Sequence, residues 1–95
     1  MAAREKLADD ELKAALDSLP GWTIKNAKLH KQYTFSDFAH AFGFMATAAV
    51  LIQERNHHPE WSNVYNRVEI VLSTHDAGGL SARDVKLARA IDALG

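Results

Sequence analysis

The stretch from residue 37 to residue 54 constrains this chain more than any other. It follows Ser36, a good helix N-cap, and runs as a long helix of largely apolar side chains. Phe38, Phe42, Met45, Ala49 and Ile52 form one stripe at helical spacing. Ala41, Phe44, Ala48 and Leu51 widen it far beyond what one buried face needs. Only about a third of the circumference, around His40, Gly43, Thr47 and Glu54, remains polar or small. In a chain of 95 residues, such a helix is expected to be buried on two sides. Either it is central to the core or its second face meets another subunit, and the subunit contact is the favoured reading.

The remaining segments arrange themselves around that helix. A first helix should begin near Asp9, with Asp9, Asp10 and Glu11 at the positive end of its dipole. Leu7 and Leu12 form a staple around an Ala8 N-cap, and Pro20-Gly21 ends the helix. Trp22–Lys25 and Leu29–Phe35 read as a hairpin joined near Asn26-Ala27. Lys31 breaks the apolar side of the second strand, which suits an edge or a strand end. Trp61–Tyr65 and Arg67–Thr74 read as a second hairpin turning near Asn66, with Val68, Ile70, Leu72 and Thr74 on one face. Leu80, Ser81, Asp84 and Val85 spell a capping box with its staple. Leu87, Ala88, Ile91 and Leu94 then carry a last core face. The order α-β-β-α-β-β-α predicts an α+β domain spanning 1–95, a four-stranded antiparallel sheet with helices packed on one face.

Composition narrows the function classes. A formal charge of −1 with mixed signs lacks the basic excess of most nucleic-acid binders. With no cysteine there is no disulfide, thiolate nucleophile or Cys-ligated metal. No run reaches membrane-spanning length and no signal peptide is evident, so a cytoplasmic protein is expected. A core this small makes oligomerisation a reasonable expectation.

The chemistry-bearing residues are histidines at element ends. His57 and His58 stand where the apolar helix runs out, just before Pro59, and His75 ends the strand-like run Leu72-Ser-Thr-His75. Proline biases His58 toward extended geometry, so the adjacent imidazoles should point to opposite sides. Imidazole exchanges protons near neutrality, which suggests proton-transfer chemistry. A solvated loop is the plain alternative. A three-histidine zinc site is a weaker one, because neighbouring residues seldom reach the same ion. His30 and His40 read as surface residues, Trp22 and Trp61 as core or pocket wall, and Arg55, Arg67 and Arg83 as solvated.

Ala41-Phe-Gly-Phe-Met45, His57-His-Pro-Glu-Trp61, Asn63-Val-Tyr-Asn66, Leu72-Ser-Thr-His75, Gly79-Leu-Ser81 and Asp84 together resemble the pterin-4a-carbinolamine dehydratase family. That family is also known as the dimerisation cofactor of a homeodomain transcription factor. The resemblance implies dehydration of a 4a-hydroxytetrahydropterin to the quinonoid dihydropterin, in support of aromatic amino acid hydroxylases, without metal or organic cofactor. It implies His57 and His75 as acids and His58 as pterin ligand and base. Asn56, Ser73, Thr74 and Asp76 would line the pterin site, with Gln53, Trp61 and Asp84 in support. A homodimer or homotetramer is implied as well. The family usually carries glutamate where this chain has Gln53, and Glu54, about 100° around the helix, cannot simply replace it. Two other readings stand beside the enzyme: an interaction module for a transcription-factor helix, and a pterin-binding or molybdopterin-related accessory protein that keeps the pocket without turnover.

Overall fold

The computed structural model of the chain describes residues 6–74 and 78–94. His75 and Asp76 lie outside the described residues. The elements are α1 (Asp9–Asp17), β1 (Thr23–Lys25), β2 (Lys28–Thr34), α2 (Phe38–Arg55), β3 (Glu60–Val64), β4 (Arg67–Leu72) and α3 (Ala82–Asp92). The expected α+β order holds, with an antiparallel sheet ordered β1-β2-β4-β3.

Local chemistry explains most boundaries. At α1, Ala8 offers no side-chain cap, and Glu11 instead reaches back to the Ala8 N–H at 3.0 Å. Asn26 and Ala27 both adopt left-handed backbone, with φ of 53° and 61°, as a two-residue hairpin turn demands. At α2 the cap is Asp37, one residue later than Ser36. Its carboxylate accepts from the His40 N–H at 2.8 Å and contacts the His40 ring at 2.7 Å. The His40 backbone N–H, and then its ring, hold the Asp37 carboxyl below the usual carboxylate range. Ser36 contributes its hydroxyl to the same ring at 3.1 Å. The last strand ends at Leu72 rather than Thr74, and Thr74 pairs with Gly79 in an isolated bridge.

The core forms where α2 and α3 cover one face of the sheet. Leu29, Val68, Ile70 and Leu72 supply the sheet side, and Val85, Leu87, Ala88 and Ile91 the α3 side. From α2 only Ala41, Phe44, Ala48 and Ile52 are fully committed. Phe44 packs on Tyr33 and Phe35, with ring centroids 4.8 and 5.0 Å away. The stripe begun by Phe38 and Phe42 is divided: Phe38 is 49% exposed and Phe42 58%, as is neighbouring Val50 at 62%, whereas Met45 packs against the core and Ile52 is buried. The helix is therefore not central to the protomer's core. Leu94 departs from expectation too, being largely exposed beyond the end of α3.

Lys31 is the second departure. It sits in an inner strand, although just beyond His30, where β1 stops pairing. Its ammonium group reaches Asp92 of α3 at 2.9 Å and the Pro20 carbonyl at 3.0 Å, and lies 4.6 Å from the Tyr33 ring centre. Asp92 also accepts from the Trp22 indole at 3.1 Å and from the Tyr33 hydroxyl. One carboxylate thereby ties the end of α3 to the first hairpin.

Burial, reinforced by the hydrogen bond to Asp92, raises the Tyr33 phenol well above its ordinary range. The native state keeps this proton when the unfolded chain loses it near pH ~10. Stability contributed by Tyr33 is thus complete below that pH and is lost as pH rises beyond it. Tyr33→Phe is expected to cost about 1.5–3 kcal/mol at pH 7. Thermal unfolding from pH 7 to 11 should show the wild-type advantage shrinking above pH ~10; a gap that widens there would refute the assignment.

Candidate functional site

The end of α2 builds the first half of the site. Asn56 takes left-handed backbone (φ 49°), its N–H bonding the Gln53 carbonyl at 3.1 Å, while the His57 N–H points at the Ile52 carbonyl at 3.5 Å. This is a Schellman-type ending, and asparagine is among the few side chains that tolerate it. The turn throws His57 inward and leaves His58 exposed. The two imidazoles part company at once.

His57 is buried, and its Nε2 lies 2.6 Å from Oδ1 of Asp84, a residue with no exposed surface. The other Asp84 oxygen accepts from the Thr74 hydroxyl at 2.7 Å and from the Ser81 N–H at 2.9 Å. Thr74 and Ser81 share a further contact of 2.6 Å between their hydroxyls. Thr74 has a single hydroxyl proton and gives it to the carboxylate, so Ser81 donates to Thr74. Ser81 in turn accepts from the Arg83 N–H at 3.3 Å. Proton accounting therefore assigns Nε2–H of His57 to the carboxylate and leaves Nδ1 as its free nitrogen.

His58 is oriented from a different direction. Its Nε2 stands 3.1 Å from Oε1 of Gln53, one turn back along α2. An amide oxygen only accepts, so Nε2 carries the proton and Nδ1 is left with a lone pair. The two histidines thus hold the same tautomer against different partners, one a buried carboxylate and the other a neutral amide.

Thr74 also lines a cavity of about 270 Å³ with Ser73, Asn26, Ala27, Lys28, Gly78 and Gly79. Lys28 at its edge is paired to Glu60 at 2.8 Å, and that ammonium group, through its hydrogen bond, holds the Glu60 carboxyl below the usual range. A larger groove of about 560 Å³ lies elsewhere, between α2 and the chain's last residues. Neither is lined by His57 or His58.

The structure brings together His57, Thr74 and Asp84 in one buried network, with Ser73 on the adjoining wall. His58 and Gln53 form a separate exposed pair, Asn56 is exposed at the turn, and Trp61 packs half-buried against the core. Ser81, read as a helix cap and as part of a resemblance motif but not as a site residue, joins the network through its N–H and hydroxyl. Asn26, Ala27 and Lys28 carried no sequence signal beyond a turn. Arg83 is half-buried, and in an exposed contact its guanidinium donates to the Asn56 carbonyl at 3.0 Å. Among the described residues no cluster of three His, Asp or Glu is arranged to hold a metal ion.

Comparison with known proteins places this geometry among relatives. The family model described as pterin 4 alpha carbinolamine dehydratase matches residues 5–94. A protein of Solibacter usitatus named "Putative pterin-4-alpha-carbinolamine dehydratase" is 55% identical over 89 residues, covering 94% of each chain. One of the same name from Rhizorhabdus wittichii is 52% identical over 92 residues, covering 95% of each. Among solved structures, a crystal structure of a "transcriptional coactivator/pterin dehydratase" from Brucella melitensis superposes with a TM-score of 0.91 at 40% identity, covering 95% of this chain and 98% of that one.

The Asp84 network generates its own test. Asp84→Ala orphans buried donors on three segments and should cost about 3 kcal/mol or more. Asp84→Asn can keep the Thr74 and Ser81 bonds through its oxygen and turn its NH₂ toward His57, forcing the proton to Nδ1. Urea unfolding would show the Ala variant far weaker than the Asn variant, and ¹⁵N imidazole shifts would report the tautomer. An Ala variant within about 1 kcal/mol of wild type would contradict the account.

Proposed function

The chain belongs to the pterin-4-alpha-carbinolamine dehydratase family, and from that premise we propose that it dehydrates a 4a-hydroxytetrahydropterin to the quinonoid dihydropterin by histidine acid–base catalysis. The observation that carries this reading is the divided state of the two neighbouring imidazoles, His57 against buried Asp84 and His58 against Gln53.

The reaction removes the C4a hydroxyl and the N5 proton as water. Protonation of the departing oxygen lets the C4a–O bond break as the N5–H pair forms the C=N bond. In its doubly protonated form His57 supplies that proton from Nδ1 and keeps Nε2–H anchored on Asp84. His58 receives the N5 proton at its free Nδ1. Such positioned acid–base catalysis is typically worth ~10²–10⁴-fold. By resemblance, His75 serves the other stereoisomer of the 4a-alcohol, and Asn56, Ser73, Thr74 and Asp76 contact the pterin. Aromatic amino acid hydroxylation would supply the substrate, in the cytoplasm.

A second reading concerns assembly. The outward face of α2, with Phe38, Phe42 and Val50 exposed and the first two rings 5.9 Å apart, suits a homodimer or homotetramer. The same face suits a partner helix of the coactivator kind. A pterin-binding accessory role without turnover remains the alternative to the enzyme.

Stopped-flow dehydration of an enzymatically generated 4a-hydroxytetrahydropterin tests the chemistry. Wild type should accelerate the step, and His57→Ala, His75→Ala together should abolish at least ~10²-fold of it. An unchanged rate in the double variant would sink the mechanism. For assembly, sedimentation should show Phe42→Glu shifting an oligomer toward monomer; a wild type that is monomeric at high micromolar concentration would remove the oligomer reading.

A further inference from the structure

We propose that Arg83 is a positioning residue for this reaction, clamping the Asn56 carbonyl so that the turn presents His57 and His58 at fixed separation. The inference rests on the dehydratase reading given above and extends it to a residue outside the acid–base set.

Arg83 stands in the first turn of α3, next to Asp84. A cation there opposes the helix dipole, which favours negative charge at that end. Local helix preference therefore gives no reason for arginine at this position. The reason lies across the molecule. Its Nη2 donates to the Asn56 carbonyl at 3.0 Å, 27 residues away in sequence. That carbonyl belongs to the left-handed residue closing α2, where a cation is favoured by the dipole of the other helix.

The consequence is a two-point grip. Arg83 holds the backbone immediately before His57, and Asp84 holds the His57 ring at 2.6 Å. A single contact on the ring would leave the Asn56–His57 peptide free to rock about it. A second contact on the preceding carbonyl fixes the plane of that peptide, and with it the direction in which the chain leaves toward His58. His58 needs such support, since its side chain is exposed and its hydrogen bond within the chain is to Gln53. Proton delivery and removal at two neighbouring pterin atoms require both imidazoles in register. A displacement of about 1 Å can cost on the order of 10²-fold in rate.

The test compares wild type with Arg83→Ala and Arg83→Lys. Arg83→Ala should lower kcat about tenfold or more, with KM changing less than threefold and the protein still folded by circular dichroism. Arg83→Lys, which keeps a cationic donor able to reach the carbonyl, should recover at least half of the lost rate. In ¹H–¹⁵N spectra the ring signals of His57 and His58 should move in Arg83→Ala, while those of His30 and His40 stay in place. A purely structural role would lower the melting temperature without this split. Arg83→Ala with kcat within twofold of wild type overturns the proposal. If wild type itself shows no turnover, the dehydratase reading fails instead. The positioning role is then decided by the ring signals, and unmoved His57 and His58 resonances overturn it.

Discussion

The arrangement of this molecule depends on one buried carboxylate. Asp84 has no exposed surface, and an ionised carboxylate in such a place is costly unless its lone pairs are met. They are met from three segments: the turn after α2 through His57, the segment after β4 through Thr74, and the start of α3 through the Ser81 N–H. None of these segments can shift without orphaning a buried charge. The capping box of α3 would be complete with the Ser81 contact alone. The other two contacts convert a helix cap into the joint where helix, strand and loop meet. Among the described residues no buried side-chain polar atom is left unpartnered, so the joint stores no unmet demand.

That joint also links the site to the outer surface through α2. Its inner face alternates small and large residues, Ala41, Phe44, Ala48 and Ile52, which lets the helix lie close on the sheet while Phe44 fills the space against Tyr33 and Phe35. Its outer face carries Phe38, Phe42 and Val50. Its C-terminal turn carries the two histidines. A rigid element that is fixed on its inner face by the core and at its end by Asp84 presents the outer face as a fixed surface. Contacts made there would reach the site through a helix already held at both places.

Hairpins, cap and strand faces were legible in the sequence because local rules decide them. Asn26-Ala27 needed a tight turn, Ser81 and Asp84 spelled a cap, and alternation set Val68, Ile70 and Leu72 inward. Choice among equivalent local signals was not legible. Ser36 and Asp37 are both good caps, and the carboxylate took the role because it can bond the His40 backbone and ring together. The apolar stripes on α2 are equal by periodicity, and only the position of α3 and the sheet settles that Ala41, Phe44, Ala48 and Ile52 face inward. Long-range pairings left no trace at all. Lys31 looked like an edge residue because Asp92, 61 positions away, cannot be matched to it by spacing. In the candidate site, His57, His58, Asp84 and Gln53 were named by resemblance, whereas Asn26, Ala27 and Lys28 on the wall of the cavity beside Thr74 carried no signal beyond a turn.

Gln53 shows how a departure from a family pattern can preserve geometry while changing electrostatics. The neighbouring Glu54 lies about 100° around α2 and is exposed, so it does not take over the position. Gln53 itself reaches His58 at 3.1 Å. A glutamate there would orient the ring in the same way, because either side chain offers an oxygen to Nε2–H. It would also add a negative charge, worth about 1 kcal/mol toward an imidazolium at an exposed position. The amide supplies direction without that charge. His58 therefore keeps the tautomer with a free Nδ1 lone pair. Under the proposed chemistry Gln53 would take over the steering of His58, and the charge of a glutamate is the part this chain does without.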